Sequence, residues 1–226
     1  MKKVILTYHK IGPNDRMSVS LELLKAQIEY LKNQGFVFHN LNDFLSANHN
    51  SILIVFDDGY DSILRASDYL SSLNIPFGIS VISDKLGVNG YLSLKDLALL
   101  IRDNDIYYHG KTHAGLSKLS STQKEDEILR GKKELEKMLN KKVYTFVYPL
   151  GEYDQESVKI VSDYYKYGLS LLPFHYESDN NFILPRINIR GDMSFLKFRF
   201  FLSYSGNAYL HLSYFVKRIF RIDYLK

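Results

Sequence analysis

Cysteine and tryptophan are both missing from the 226 residues, and no apolar stretch approaches a membrane span. Without cysteine there can be no disulfide and no thiolate metal site, so any metal has to be held by His, Asp or Glu. A bilayer span needs roughly 20 apolar residues. The first apolar run, residues 4–6, yields at once to Thr7, His9 and Lys10, which is too short for a signal-peptide core. A cytoplasmic chain is expected. No Gly-rich nucleotide fingerprint follows the first strand signal, which argues against an open dinucleotide-binding sheet. The net charge is only +4, and basic residues before the tail are interleaved with acids, so no nucleic-acid partner is expected. Hydrophobic residues at 46% and charged residues at 24% exclude disordered and fibrous classes.

What is present is an alternation of strand and helix signals. Residues 3–8, 52–56, 77–82, 106–108, 143–147 and 168–172 read as short buried strands. Residues 18–34 carry Leu21, Leu24, Ile28 and Leu31 at helical spacing, and helices are likewise expected over 62–73, 93–102, 121–139 and 155–165. Such alternation predicts an α/β fold with a parallel sheet, a single-domain distorted or incomplete (β/α) barrel of about seven strands. The catalytic domain is expected to run over 1–192, with an extension over 193–226.

In such barrels the chemistry gathers at the C-terminal strand ends. His9 ends the first strand signal, Asp57 and Asp58 the second, His109 another, and Tyr148-Pro149-Leu150-Gly151 a fourth. Asp57-Asp58-Gly59 puts two carboxylates at a turn, where one can bind a metal while the other addresses a substrate; plain turn and helix-capping duty is the structural alternative. His109 and His113, four residues apart, can reach one ion. Together with Asp58 they make the three protein ligands and open position of a catalytic metal site. Zinc is expected, with cobalt or nickel as alternatives.

These residues resemble the NodB-homology polysaccharide deacetylases, carbohydrate esterase family four. Val55-Phe56-Asp57-Asp58-Gly59 matches that family's first motif, His109 to His113 running on to Leu116 and Leu119 its second, and Val147-Tyr148-Pro149-Leu150-Gly151 its third. Val147 stands where many members have Arg, Gly110 where Ser or Thr is usual, and no Leu-x-His motif follows the third. The chain is more similar to a permuted subgroup resembling poly-N-acetylglucosamine deacetylases. In that subgroup an early Tyr-His, here Tyr8-His9, supplies the catalytic acid, and a late Pro-Arg-Ile, here Pro185-Arg186-Ile187, places Arg186 to orient Asp57. The resemblance implies N-deacetylation of an amino sugar, with Asp57 as base, His9 as acid and the Leu150 N–H stabilising the oxyanion. O-deacetylation, amidase activity on a non-sugar, and an inactive carbohydrate-binding relative are the alternatives.

From Phe195 on, ten Phe or Tyr and six Lys or Arg accompany one acid, Asp223. Leu212, Phe215, Val216, Ile219 and Phe220 recur at helical spacing beside Lys217, Arg218 and Arg221. Such a helix can lie on an anionic membrane surface or pack on the barrel with a solvated basic edge. On the membrane reading, the protein sits at the inner face and a lipid-linked sugar becomes a natural substrate.

Overall fold

The apolar runs become parallel strands because both of their faces are covered, which removes the polar half of the usual alternation. The computed structural model describes residues 1–176 and 180–219, with side chains described up to 216. Its strands are β1 (Lys3–Tyr8), β2 (Lys10–Ile11), β3 (Ser18–Val19), β4 (Val37–Phe38), β5 (Ser51–Phe56), β6 (Phe77–Val81), β7 (Asp105–Tyr108), β8 (Thr145–Val147), β9 (Tyr167–Leu169) and β10 (Ile187–Asn188). Seven of them form a parallel sheet in the order β10-β1-β5-β6-β7-β8-β9, with β4 added beside the start of β5 and β2–β3 forming a separate pair. The sheet curls into a half-barrel, as the alternation suggested. Successive residues supply its two cores. In β5, Ile52, Ile54 and Phe56 pack outward against helices, whereas Leu53 and Val55 join Ile5, Tyr107, Val147 and Leu169 in the interior.

The helices are α1 (Leu21–Asn33), α2 (Leu41–Ser46), α3 (Leu64–Ser72), α4 (Leu94–Leu100), α5 (Ser121–Glu125), α6 (Gly131–Leu139), α7 (Gln155–Tyr164), α8 (Phe195–Phe201) and α9 (Tyr204–Ile219). Side-chain caps fix several starts: Ser20 Oγ accepts from Leu23 N at 3.1 Å, and Ser93 and Asp96 form a reciprocal box. Two expectations are corrected, and several short elements were not anticipated. The single helix over 121–139 is interrupted by a π-helical turn, Asp126–Arg130, between α5 and α6. The strand expected over 168–172 ends at Leu169, where Ser170 turns its hydroxyl to the Leu184 carbonyl instead. Neither β4 nor β10 was anticipated, because two residues are too few to show a period. The helix α2, capped by Asn40, was missed for a similar reason.

The C-terminal segment docks by one face. Phe198, Leu202 and Leu210 are buried, Tyr30 meets Phe195 and Phe198 edge-on at 5.7 and 6.2 Å, and Asn207 Oδ1 accepts from His175 N at 2.8 Å. The late histidines serve this packing: His175 Nε2 lies 2.7 Å from Phe201 O, and His211 stacks on Phe174 at 3.9 Å. Phe220 and Arg221 lie outside the described residues.

Candidate active site

β5 delivers both aspartates. Asp57 N still follows the ladder, donating to Tyr8 O at 2.8 Å; then Asp58 (φ 70°) and Gly59 (φ 75°) take left-handed conformations that turn the chain and part the two carboxylates. Asp57, 1% exposed, accepts from Ser80 Oγ at 2.7 Å and from Arg186 Nη1 at 2.8 and 2.9 Å. Arg186 is wholly buried and donates its Nε to Ser170 O at 2.8 Å. Burial alone would raise the Asp57 pKa. The Arg186 guanidinium, then His109 and His9, outweigh it and hold the carboxyl well below the usual range.

The other half of the site faces Asp58. His109 ends β7, and its Nδ1 lies 2.8 Å from the Val147 carbonyl. A carbonyl only accepts, so Nδ1 carries hydrogen and the neutral ring's Nε2 presents a lone pair. His113 Nε2 is 3.2 Å from His109 Nε2, and both lie 3.4 Å from Asp58 Oδ1, which has no hydrogen-bond partner among the described residues. Two imidazole nitrogens and an unpaired carboxylate oxygen converging in a buried space is costly by itself. A tetrahedron with arms of about 2.0–2.1 Å has edges of about 3.3–3.4 Å, so this triangle fits a cation such as zinc. Among the described residues, Asp58, His109 and His113 form the cluster able to hold a metal.

The His109–His113 segment is a loop rather than a helical turn. Burial lowers the His113 pKa to about 4, with His109 adding to the shift; for His109 burial also opposes charge, but the neighbouring Asp58 and Asp57 carboxylates raise it above the ordinary value. Glu127, from the π-helical turn, holds the loop. Its Oε1 accepts from the N–H groups of Thr112 and His113 at 2.8 Å and of Ala114 at 3.2 Å, and Oε2 accepts from the Thr112 hydroxyl at 3.0 Å. Gly110 (φ 82°) is required beside it, since a Cβ there would stand 2.7 Å from Oε1. The usual Ser or Thr of the motif would collide with the carboxylate that ties this loop down.

His9, half-buried at the end of β1, shares the pocket. Burial lowers its pKa while Asp57 and Asp58 pull the other way. Leu150 (φ 58°) lies in a Pro149–Gly151 turn whose own hydrogen bonds use the Gly151 and Glu152 N–H groups, leaving its N–H outside them. Three of the five non-glycine positive-φ residues among those described are thus Asp58, His113 and Leu150, a concentration of backbone strain typical of functional sites. All seven anticipated site residues fall at this end of the barrel. Ser80 and Glu127 were not anticipated. Ser80 had left a signal, as the polar residue inside the apolar strand Phe77–Val81, but nothing marked Glu127 within a charged helix.

A model of the polysaccharide deacetylase family matches residues 45–167. YxkH of Bacillus subtilis (strain 168), named as belonging to the polysaccharide deacetylases, is 24% identical over 204 residues, covering 85% of the chain and 73% of that protein. The crystal structure of BC0361, a polysaccharide deacetylase from Bacillus cereus, superposes with a TM-score of 0.80 at 24% identity, covering 90% of the chain and 69% of that structure. IcaB from Ammonifex degensii gives 0.78 at 19% identity, with 91% and 97% covered. These solved structures share the curled half-barrel.

Proposed function

The chain belongs to the polysaccharide deacetylase family, and from that premise we propose that it is a metal-dependent hydrolase removing N-acetyl groups from an amino sugar. The observation that carries this reading is the pairing of an unsatisfied Asp58–His109–His113 triangle with an adjacent, fully clamped Asp57. A divalent cation, zinc by its donor set, supplies Lewis acidity and a lowered water pKa when held by these three side chains. The remaining steps are the chain's own. Asp57 stays ionised at neutral pH, and its Oδ2, hydrogen-bonded among the described residues by Arg186 alone, takes the proton of the attacking water. Ser80 and Arg186 fix that carboxylate so that it need not reorient. The Leu150 N–H donates to the oxygen that gains charge as the carbonyl becomes tetrahedral. His9 then protonates the leaving nitrogen, which departs poorly as an anion.

Acetate release from a panel of N-acetylated and O-acetylated amino-sugar oligomers by the zinc-loaded chain tests this. Release from N-acetyl substrates that needs the metal supports the reading. Release from O-acetyl esters alone would replace it with O-deacetylation, and binding of metal and glycan without turnover would leave a carbohydrate-binding relative.

A further inference from the structure

α9 is largely apolar on the side that faces solvent, with exposed Ser205 the polar exception. Tyr204, Ala208, Leu212 and Phe215 recur every three or four residues and so share one face, with Val216 and Tyr209 beside them. Tyr204, Leu212 and Phe215 are 64%, 63% and 61% exposed, while the barrel-facing side holds Gly206, Asn207 and Leu210. Gly206 is required there, because a Cβ would stand 1.8 Å from Phe200 O. The exposed face continues onto α8: Phe200 packs against Tyr209 at 5.7 Å, and Leu196, one turn earlier, is 72% exposed. A contiguous apolar surface of this kind on a folded chain marks an interaction site.

Charge selects its occupant. Between Asp192 and Asp223 the sequence has no acid but carries Lys197, Arg199, Lys217, Arg218 and Arg221, and Lys2 Nζ lies 4.5 Å over the Tyr204 ring. A symmetric contact with a second copy would set this surface against itself and bring Lys2 and Lys197 against their own copies. An anionic bilayer satisfies both features at once, taking up Tyr, Phe and Leu at its interface while its headgroups answer the basic, acid-free composition of the segment. No helix among the described residues is long and apolar enough to cross a membrane, which fits a helix lying in the interface plane. We infer that α8 and α9 form a docking surface for anionic phospholipid membranes. The stripe begins under Lys2, which precedes β1, at the opposite end of that strand from His9, so contact there leaves the active site open.

The test is co-sedimentation of the full chain with phosphatidylcholine vesicles and with vesicles of phosphatidylcholine and phosphatidylglycerol in equal parts. Binding is expected to the mixed vesicles, weakening as salt rises. The doubly substituted Leu212→Ser/Phe215→Ser chain should lose on the order of tenfold affinity per side chain removed, with acetate release unchanged. Lys197→Glu, which keeps the apolar stripe and so carries the test if the double variant misfolds, should weaken binding to mixed vesicles alone. Sedimentation with neither vesicle, equal binding of the variants, or a wild-type dimer that the double variant abolishes would overturn the assignment.

Discussion

Asp57 and Asp58 leave the same strand one residue apart, yet their halves of the site are built on opposite terms. Asp57 has three short hydrogen bonds from Ser80 and Arg186 and is complete as it stands. Asp58 faces two imidazole nitrogens across 3.4 Å with its Oδ1 unpaired. A buried carboxylate tolerates burial either by recruiting its own cation from the chain, as Asp57 does with Arg186, or by waiting for one from solution. On the proposed reading this difference separates the roles, with the satisfied carboxylate held for proton transfer and the unsatisfied one serving as a ligand.

Substitutions separate the halves most sharply through activity. Asp58→Ala should cut turnover on the order of 10⁴-fold, because it removes a ligand and with it several kcal/mol of charge stabilisation; near-normal initial rates would break the distinction. On the other side, Arg186→Met should leave the Asp57 charge buried and unpaired, lowering stability by about 3–5 kcal/mol in urea unfolding. Unchanged unfolding would mean that Asp57 has other support. Asp57→Asn and His9→Ala should each lower kcat by about 10²–10⁴-fold with the fold intact, and a His9→Ala enzyme of full activity would remove His9 as the acid.

Glu127 sharpens the comparison further, since it serves only the ligand half. Glu127→Ala should weaken zinc binding by about 10–100-fold, with Glu127→Gln partly restoring it because an amide oxygen still accepts from the loop N–H groups. The smallest effect concerns pH. In the metal-free protein the pKa of His109 is raised and that of His113 is lowered to about 4, so as pH rises His113 gives up its proton first and His109 is the last ring the metal must deprotonate. The logarithm of zinc affinity should rise with a slope of one per pH unit until His109 is deprotonated and then flatten. A slope of two would mean that both rings titrate together.

The sequence exposes the local parts of this design and hides the distant ones. Asp57, Asp58, His109 and His113 are legible because each pair lies within a few residues at the end of an apolar run. The barrel is legible because β1 and β5 are six buried residues long. Arg186 and His9 could be placed only through resemblance, since their partner Asp57 is 129 and 48 positions away. Glu127 hides because a charged helix reads as a solvated face, and the π-helical turn that aims it inward has no periodic signature. The tail shows the converse: its apolar positions were visible, but which face packs was decided by Gly206, Asn207 and Leu210 against the barrel.

The division between the two aspartates is tested most directly by calorimetric zinc titration of wild type, Asp57→Asn and Asp58→Ala side by side. One zinc should bind wild type and Asp57→Asn with affinities within a few-fold of each other, and Asp58→Ala should show no comparable site. Zinc lost from Asp57→Asn, or retained by Asp58→Ala, would contradict the assignment of base and ligand.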